Sequence, residues 1–542
     1  VRETLSRIDE RRARRYRAEG LWGPERVDET VLAHAATRPD AVALVAGTRR
    51  LTHGELAASV RAAASRLAAL GIRRGDPVVV QLPNDLELVV LTLALSSIGA
   101  PPIMTPTALR DYELDHIVRI TQPVALAVPE KLARFDHYAM ARRLREAHPC
   151  VRSLLVSDVD DGDAVGLGAL CAPPAPGESL PEPERARLDD PALCLLSNGT
   201  TGPPKVIPRL QEAYDYQLRV TPEVAGVDQD TVYLAVMPAT HGFVLGCPGI
   251  LGTLGAGGRV VLGPSTEPEA AFELVERERV THCTLVPALA ERWAAAAEDT
   301  EHDLSSLRVI QVGGARPRRG QVEKVPEALG CRVQQCYGMS EGLLNYTALD
   351  DPDDVAFDTQ GRPVSPADEI LVVDETGAPV APGEVGELLT RGPYTVAGYY
   401  ADAEANAKNF TEDGFYRTGD LVRLHESGSI IVEGRTRDVI NRGGEKIPAT
   451  ELELLAAEHP AVAAAAALGA PHARLGEIVC LYVVCHEGAT APGLKEIRRF
   501  LQDRGLARFK LPERLEVVES LPYLGIGKVD KKALRATLAA SS

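Results

Sequence analysis

The chain has 542 residues, of which 45% are hydrophobic and 25% charged, the balance of an ordinary globular protein. A formal charge of −17 repels phosphate backbones and anionic lipid, which argues against nucleic acid and membrane as partners and leaves room only for a local basic patch around a small anion. Nine cysteines without a C-x-x-C pair argue against a disulfide framework or a structural zinc site, and fit reduced thiols in a cytoplasmic protein.

At about 150 residues per domain, the length allows three or four domain-sized units. The first twenty residues are charged throughout, unlike a secretory signal. A helix is expected over 53–70, because Thr52 and Glu55 stand in capping-box spacing and Gly71 follows. A strand is expected over 77–82 and a helix near 84–97. The longest apolar run, 86–104, is broken by Glu87 and by Pro101 and Pro102, so it reads as a buried helix and a strand, not a membrane span. Short β-branched runs recur at 123–128, 153–158, 192–197, 232–237, 259–263, 282–287 and 307–312. They are too continuously apolar for a one-sided sheet and fit buried parallel strands with helices between. Segment 160–190 is rich in Pro, Gly and acid and reads as a surface connection. From 365 to 432 strands crowd together (369–374, 386–392, 429–434), which suggests a smaller antiparallel or barrel-like unit. Beyond 438 the pattern is helix (449–459), strand (461–469), strand (477–485), helix (491–505). The expected fold class is therefore α/β: a large N-terminal part of parallel-rich sheets, helices and a barrel-like β unit, followed by a small α+β unit.

One loop stands out. An apolar strand runs straight into Ser197-Asn198-Gly199-Thr200-Thr201-Gly202-Pro203-Pro204-Lys205. Glycines let backbone amides turn inward, hydroxyls donate and Lys205 adds charge, a set able to cradle a polyphosphate. The spacing is not the Walker pattern, since Val206 follows the lysine. Read alone, the loop could equally be a polar surface turn. It is accompanied by Gln335-Cys336-Tyr337-Gly338-Met339-Ser340-Glu341, Tyr416-Arg417-Thr418-Gly419-Asp420, Gly434-Arg435-Thr436-Arg437-Asp438, Asn441-Arg442-Gly443-Gly444-Glu445-Lys446 and Gly525-Ile526-Gly527-Lys528.

In this order and spacing the segments resemble the adenylate-forming superfamily of acyl-CoA synthetases, peptide-synthetase adenylation domains and luciferases, over nearly the whole chain. The stretches EGLLNYTALDDP, RGPYTVAGYY, FTEDGFYRTGD and NRGGEK look most like stand-alone aryl-acid AMP ligases of the 2,3-dihydroxybenzoate and salicylate type. The resemblance implies ATP and Mg²⁺ as cofactors. It implies an N-terminal adenylating domain over 1–434, a hinge at 435–437 around Arg437, and a mobile C-terminal domain over 438–542. Ser197, Gly199, Thr200, Thr201, Gly202 and Lys205 would hold phosphates, and Glu341 the Mg²⁺. Gly314, Ala315 and Tyr337 would bound the adenine slot, and Asp420 and Arg435 the ribose. Lys528 would reach the substrate carboxylate and α-phosphate in one orientation of the small domain. Gly443, Gly444, Glu445 and Lys446 would face the thiol tunnel in the other. Leu524 stands where the superfamily's C-terminal pattern carries Thr, which removes a hydroxyl from the loop before Lys528.

By the same resemblance His241, Gly242, Phe243, Cys247, Gly313, Cys336 and Leu344 would line the acid pocket. Amino-acid-activating domains place an Asp in the 237–248 stretch, and none is present here. Aryl-acid enzymes usually read His-Asn-Tyr where this chain has His241-Gly242-Phe243, and Cys247 replaces a usual Ser. Loss of the Asn removes a polar anchor and is expected to open space. A bulkier or amino-substituted benzoate such as 3-hydroxyanthranilate fits, with salicylate or an ordinary hydroxybenzoate as alternatives. The acyl acceptor would be a separate aryl or peptidyl carrier protein in secondary-metabolite or siderophore synthesis, or coenzyme A. A luciferase-like oxygenase and a non-catalytic scaffold are the competing classes; the full set Glu341, Asp420, Arg435 and Lys528 speaks against the scaffold.

Overall fold

Local signals set the first elements of the computed structural model, which describes residues 8–197, 204–317, 319–374, 376–435, 439–522, 529 and 531–540. Thr52 Oγ1 accepts from the Glu55 N–H at 3.1 Å and Glu55 Oε2 from the Thr52 N–H at 2.8 Å. These reciprocal bonds satisfy two orphan donors and start the His53–Ala69 helix, which Gly71 at φ +83° ends. The long apolar run folds as the Leu86–Ser97 helix, buried at every position except Glu87, and the Pro102–Met104 strand. Among the described residues no helix is long and apolar enough to cross a membrane.

The chain divides into two units: Val1–Thr107 with Val118–Leu196 and Val206–Gly434, and Ala108–Ile117 with Ser197–Lys205 and Arg435–Ser542. The first unit holds two large sheets. Seven strands run in the order Val206–Leu210, Pro191–Leu196, Pro102–Met104, Val78–Val80, Ala125–Val128, Ser153–Val156, Val165–Gly166. All pairs are parallel except the first. The nine-stranded sheet is parallel from Val42–Ala46 through Arg259–Leu262, Val232–Ala235, His282–Leu285 and Val309–Gly313 to Arg332–Gly338. Antiparallel strands close its ends: Arg49–Thr52 on one side, Leu344–Tyr346 and Arg362–Pro363 on the other. Helices pack over these strands, and their apolar faces form one continuous core.

The crowded strands after 365 form a four-stranded ladder, Glu369–Val373, Gly386–Arg391, Tyr416–Leu424, Ile430–Arg435, the antiparallel of the two expected forms. Its third strand carries the YRTGD motif, whose polar residues hid its extended pattern. Segment 160–190 is not all surface. The Val165–Gly166 strand and the Leu167–Cys171 helix bury Leu167, Leu170 and Cys171 in the main core, because a short apolar run interrupts the acid.

The second unit is built on a five-stranded sheet in which Val462–His472 and Gly476–Cys485 pair over most of their length. Alternation along Gly476–Cys485 feeds two cores: Val479, Leu481 and Val483 pack with Leu452, Ile497 and Leu501, while Cys480 and Tyr482 pack with Leu534 and Leu538. The Lys510 ammonium is buried between Glu451 at 2.9 Å and Glu113 at 3.3 Å.

Candidate functional site

Parallel pairing sets Gly313 beside Cys336, and antiparallel pairing sets Cys336 opposite Tyr346 and Gly338 opposite Leu344. In-register neighbours and residues two apart share a face, so Gly313, Cys336, Leu344 and Tyr346 stand on one side of the sheet. Phe243 covers that side. A Cβ on Gly313 would lie 2.9 Å from Phe243 Cζ and 2.5 Å from the Cys336 carbonyl oxygen, so glycine alone fits there. Phe243, Cys247, Cys336 and Leu344 pack in one cluster, which brings these expected pocket residues together. Burial pushes the Cys247 thiol up to about 12 and the Cys336 thiol well above its usual range, so both are neutral walls rather than nucleophiles.

His241 is exposed and caps the short Gly242–Gly246 helix, its Nδ1 accepting from the Phe243 N–H at 3.3 Å. The Gly242 carbonyl accepts from the Cys247 thiol at 3.3 Å. The space beside Gly242 is not open. A Cβ there would meet Leu195 Cδ1 at 2.9 Å, so a leucine methyl from the neighbouring sheet stands in the space that the missing Asn was expected to open.

At the carboxyl end of the same strands lies the second half of the site. Tyr337 donates its hydroxyl to Asp420 Oδ2 at 2.7 Å, joining two residues expected at the nucleotide. The Asp420 N–H is held by Thr418 Oγ1 at 3.0 Å. Gly314, at φ +84°, lets the chain leave the Val309–Gly313 strand toward Ala315. Glu341 is buried, 7% exposed, and makes no ion pair with a described residue. Its Oε1 accepts from the Tyr399 hydroxyl at 2.9 Å, and that hydroxyl lies 3.1 Å from the Tyr416 hydroxyl. Burial first, and the Glu341 charge second, raise both phenols, which keeps them protonated. A carboxylate held by a phenol and unmatched by a cation is a donor that suits a hard metal ion. Among the described residues no three His, Cys, Asp or Glu side chains gather as a metal cage.

Arg209 is a further support that sequence reasoning missed. Its guanidinium is 2% exposed and donates to the Ser340 carbonyl at 2.6 Å, to Gln217 Oε1 at 2.7 Å and to the Tyr394 carbonyl at 2.9 Å. It thereby fixes the turn that carries Glu341. No motif announces it: the arginine ends an apolar strand, and its acceptors come from distant segments. Tyr399 was equally hidden within RGPYTVAGYY.

In the second unit the Ser197–Lys205 loop is tied at its base. The Ser197 N–H donates to the Lys205 carbonyl at 2.8 Å and the Lys205 N–H to Ser197 Oγ at 2.9 Å. Gly443 and Gly444 form a two-residue hairpin turn between Val439–Arg442 and Glu445–Pro448, at φ +57° and +94°, and present Glu445 and Lys446 on its far limb. Gly199, Thr200, Thr201, Gly202, Arg437, Lys528 and the side chain of Arg435 lie outside the described residues.

Comparison with known proteins gives the following. The family model described as AMP-binding enzyme matches residues 31–400, and that of the AMP-binding enzyme C-terminal domain matches 451–528. The chain is 49% identical over 532 residues to a 2-hydroxy-7-methoxy-5-methyl-1-naphthoate–CoA ligase of Streptomyces carzinostaticus, covering 97% of this chain and 95% of that one. It is 44% identical over 526 residues to a 2,3-dihydroxybenzoate-AMP ligase of Bacillus subtilis, covering 97% and 96%. The apo structure of MbtA from Mycobacterium smegmatis superposes with a TM-score of 0.75 at 41% identity, covering 98% of each chain.

Proposed function

The chain belongs to the AMP-binding enzyme family and is a ligase, and from that premise we propose that it activates a substituted aromatic carboxylic acid with ATP and passes the acyl group to a pantetheine thiol. The observation that carries the aromatic reading is the pocket cluster. Phe243 lies over Gly313 against Cys247, Cys336 and Leu344, and the 237–248 stretch holds no carboxylate to pair an α-ammonium. Neutral, polarisable side chains of this kind suit contact with an aromatic ring. Relatives named for a naphthoate and a dihydroxybenzoate support the same class.

A carboxylate acylates poorly because its oxygen is a reluctant leaving group. Attack of that oxygen on the α-phosphorus of ATP forms the acyl adenylate and releases pyrophosphate, with charge building on phosphoryl oxygens. The Ser197–Lys205 loop would receive the pyrophosphate oxygens. Glu341 would hold Mg²⁺, which supplies positive charge next to those oxygens when bound. Tyr399 and Arg209 keep the Glu341 carboxylate and its turn in place before substrate arrives. Asp420 would accept from the ribose hydroxyls, with Arg435 near the same sugar, and Tyr337 would lie along adenine beside Gly314 and Ala315. Lys528 would act on the carboxylate and α-phosphate during this step, and Gly443 to Lys446 would face the thiol in the next.

For the acceptor, a carrier protein is the first reading. Free coenzyme A is the second, favoured by the naphthoate–CoA ligase name of the 49% identical relative. ATP–pyrophosphate exchange over a panel of substituted benzoates, naphthoates and hydroxypicolinate tests the activation step. Mass analysis after adding either coenzyme A or a pantetheinylated carrier decides the acceptor. Exchange with α-amino or fatty acids only, and with no aryl acid, refutes the proposal.

A further inference from the structure

Below the acid pocket the sheet face turns polar. Thr284, Gln311 and Gln334 stand in register on adjacent strands. Thr284 Oγ1 donates to Gln311 Oε1 at 3.2 Å and Gln311 Nε2 to Gln334 Oε1 at 3.0 Å. Gln334 Nε2 is used by the Val224 and Thr347 carbonyls at 3.0 and 2.9 Å. The Gln334 amide is thus committed to Gln311 and to two backbone carbonyls.

Tyr346 is different. It is 1% exposed, and its hydroxyl has no hydrogen-bond partner among the described residues. Tyr346 packs in one cluster with Cys247, Cys336, Leu344 and Tyr394. Tyr346 stands opposite Cys336 and two residues from Leu344, so it continues the wall that these residues form. It lies one step further from the carboxyl ends of the strands than Gly338, whereas Glu341 lies beyond them. Burying a polar group without a partner is costly, so a hydroxyl left over on this wall is suited to a partner that arrives with the ligand.

We propose that Tyr346 is a specificity residue whose hydroxyl bonds a polar group on the ring edge remote from the substrate carboxylate, such as a second hydroxyl, so that the enzyme selects aryl acids substituted there over plain salicylate. This rests on the aryl-acid reading above. A site built to bond a substrate hydroxyl rejects the analogue lacking it far more strongly than an apolar pocket rejects a size change.

The test is kcat/KM in ATP–pyrophosphate exchange for salicylate and its 3-, 4- and 5-hydroxy derivatives, with wild type and Tyr346→Phe. The wild type should favour at least one hydroxylated acid over salicylate by about tenfold or more, and Tyr346→Phe should erase that preference while leaving salicylate within about threefold. A second measurement needs no variant: in the wild type, replacing the favoured ring hydroxyl by a methyl group of similar size should cost about tenfold or more. The proposal is overturned if the wild type takes salicylate best, if the methyl analogue is accepted equally, or if Tyr346→Phe lowers salicylate and the hydroxylated acids alike. Exchange with no aryl acid at all is a distinct result and removes the underlying reading instead.

Discussion

A side chain restored at position 242 must displace Leu195, and this decides what Gly242→Asn does. The new Cβ would stand 2.9 Å from Leu195 Cδ1, against a normal carbon separation of about 3.5–4.0 Å. Leu195 is 3% exposed, so its methyl must turn within the core rather than into solvent. Overpacking of this kind costs about 1–3 kcal/mol, whereas an amide hydrogen bond to an ortho hydroxyl returns about 1 kcal/mol. Gly242→Asn alone should therefore lower kcat/KM for salicylate, by up to roughly 30-fold. Leu195→Val removes the offending methyl and suits a strand. In that background Gly242→Asn should become neutral or favourable, a coupling of about 1–2 kcal/mol in a double-mutant cycle on kcat/KM. Melting temperatures of all four proteins separate misfolding from altered recognition. Additivity within about 0.5 kcal/mol would show that Leu195 does not occupy the position-242 space, and the reasoning fails.

Glu341→Gln should depress adenylation strongly and raise the Mg²⁺ concentration needed for half-maximal exchange, since an amide is a weaker ligand for a hard cation. Tyr399→Phe should shift the same titration in the same direction by less, and an unchanged metal dependence in both would remove Glu341 from the site. Lys528→Ala should nearly abolish adenylate formation yet spare thioester formation from supplied acyl-AMP; equal loss of both steps speaks against a role confined to the first. Asp368 gives a pH prediction. Burial raises its carboxyl to about 7 despite the Tyr394 hydroxyl bonded to it. The unfolded chain loses this proton near pH 4 and the folded chain near 7, so stability falls as pH rises between those values and levels off above, by at most about 4 kcal/mol. Asp368→Asn should flatten that fall in melting temperature between pH 5 and 7.5, and parallel profiles would refute it.

What the sequence revealed was local, and what it withheld depends on contacts between distant segments. The Thr52–Glu55 box and the stop at Gly71 involve neighbours in the chain, so their residue types alone specify the geometry. The buried strands were legible because both faces of a parallel sheet are covered and every position turns apolar. The Tyr416–Leu424 strand escaped for the opposite reason. One of its faces serves a polar site, and Arg417, Asp420 and Arg423 break the apolar run. The pocket shows the same limit more sharply. Phe243, Cys247, Gly313, Cys336 and Leu344 could be grouped in advance by analogy with a family pattern. Nothing in any of those positions foretold Leu195 beside Gly242, Arg209 behind Ser340, or the unspent hydroxyl of Tyr346. A missing side chain can be read at its own position, but the space it leaves belongs to whichever neighbour folds over it. Selectivity in this pocket therefore has to be tested in pairs of residues, Gly242 with Leu195, rather than one motif position at a time.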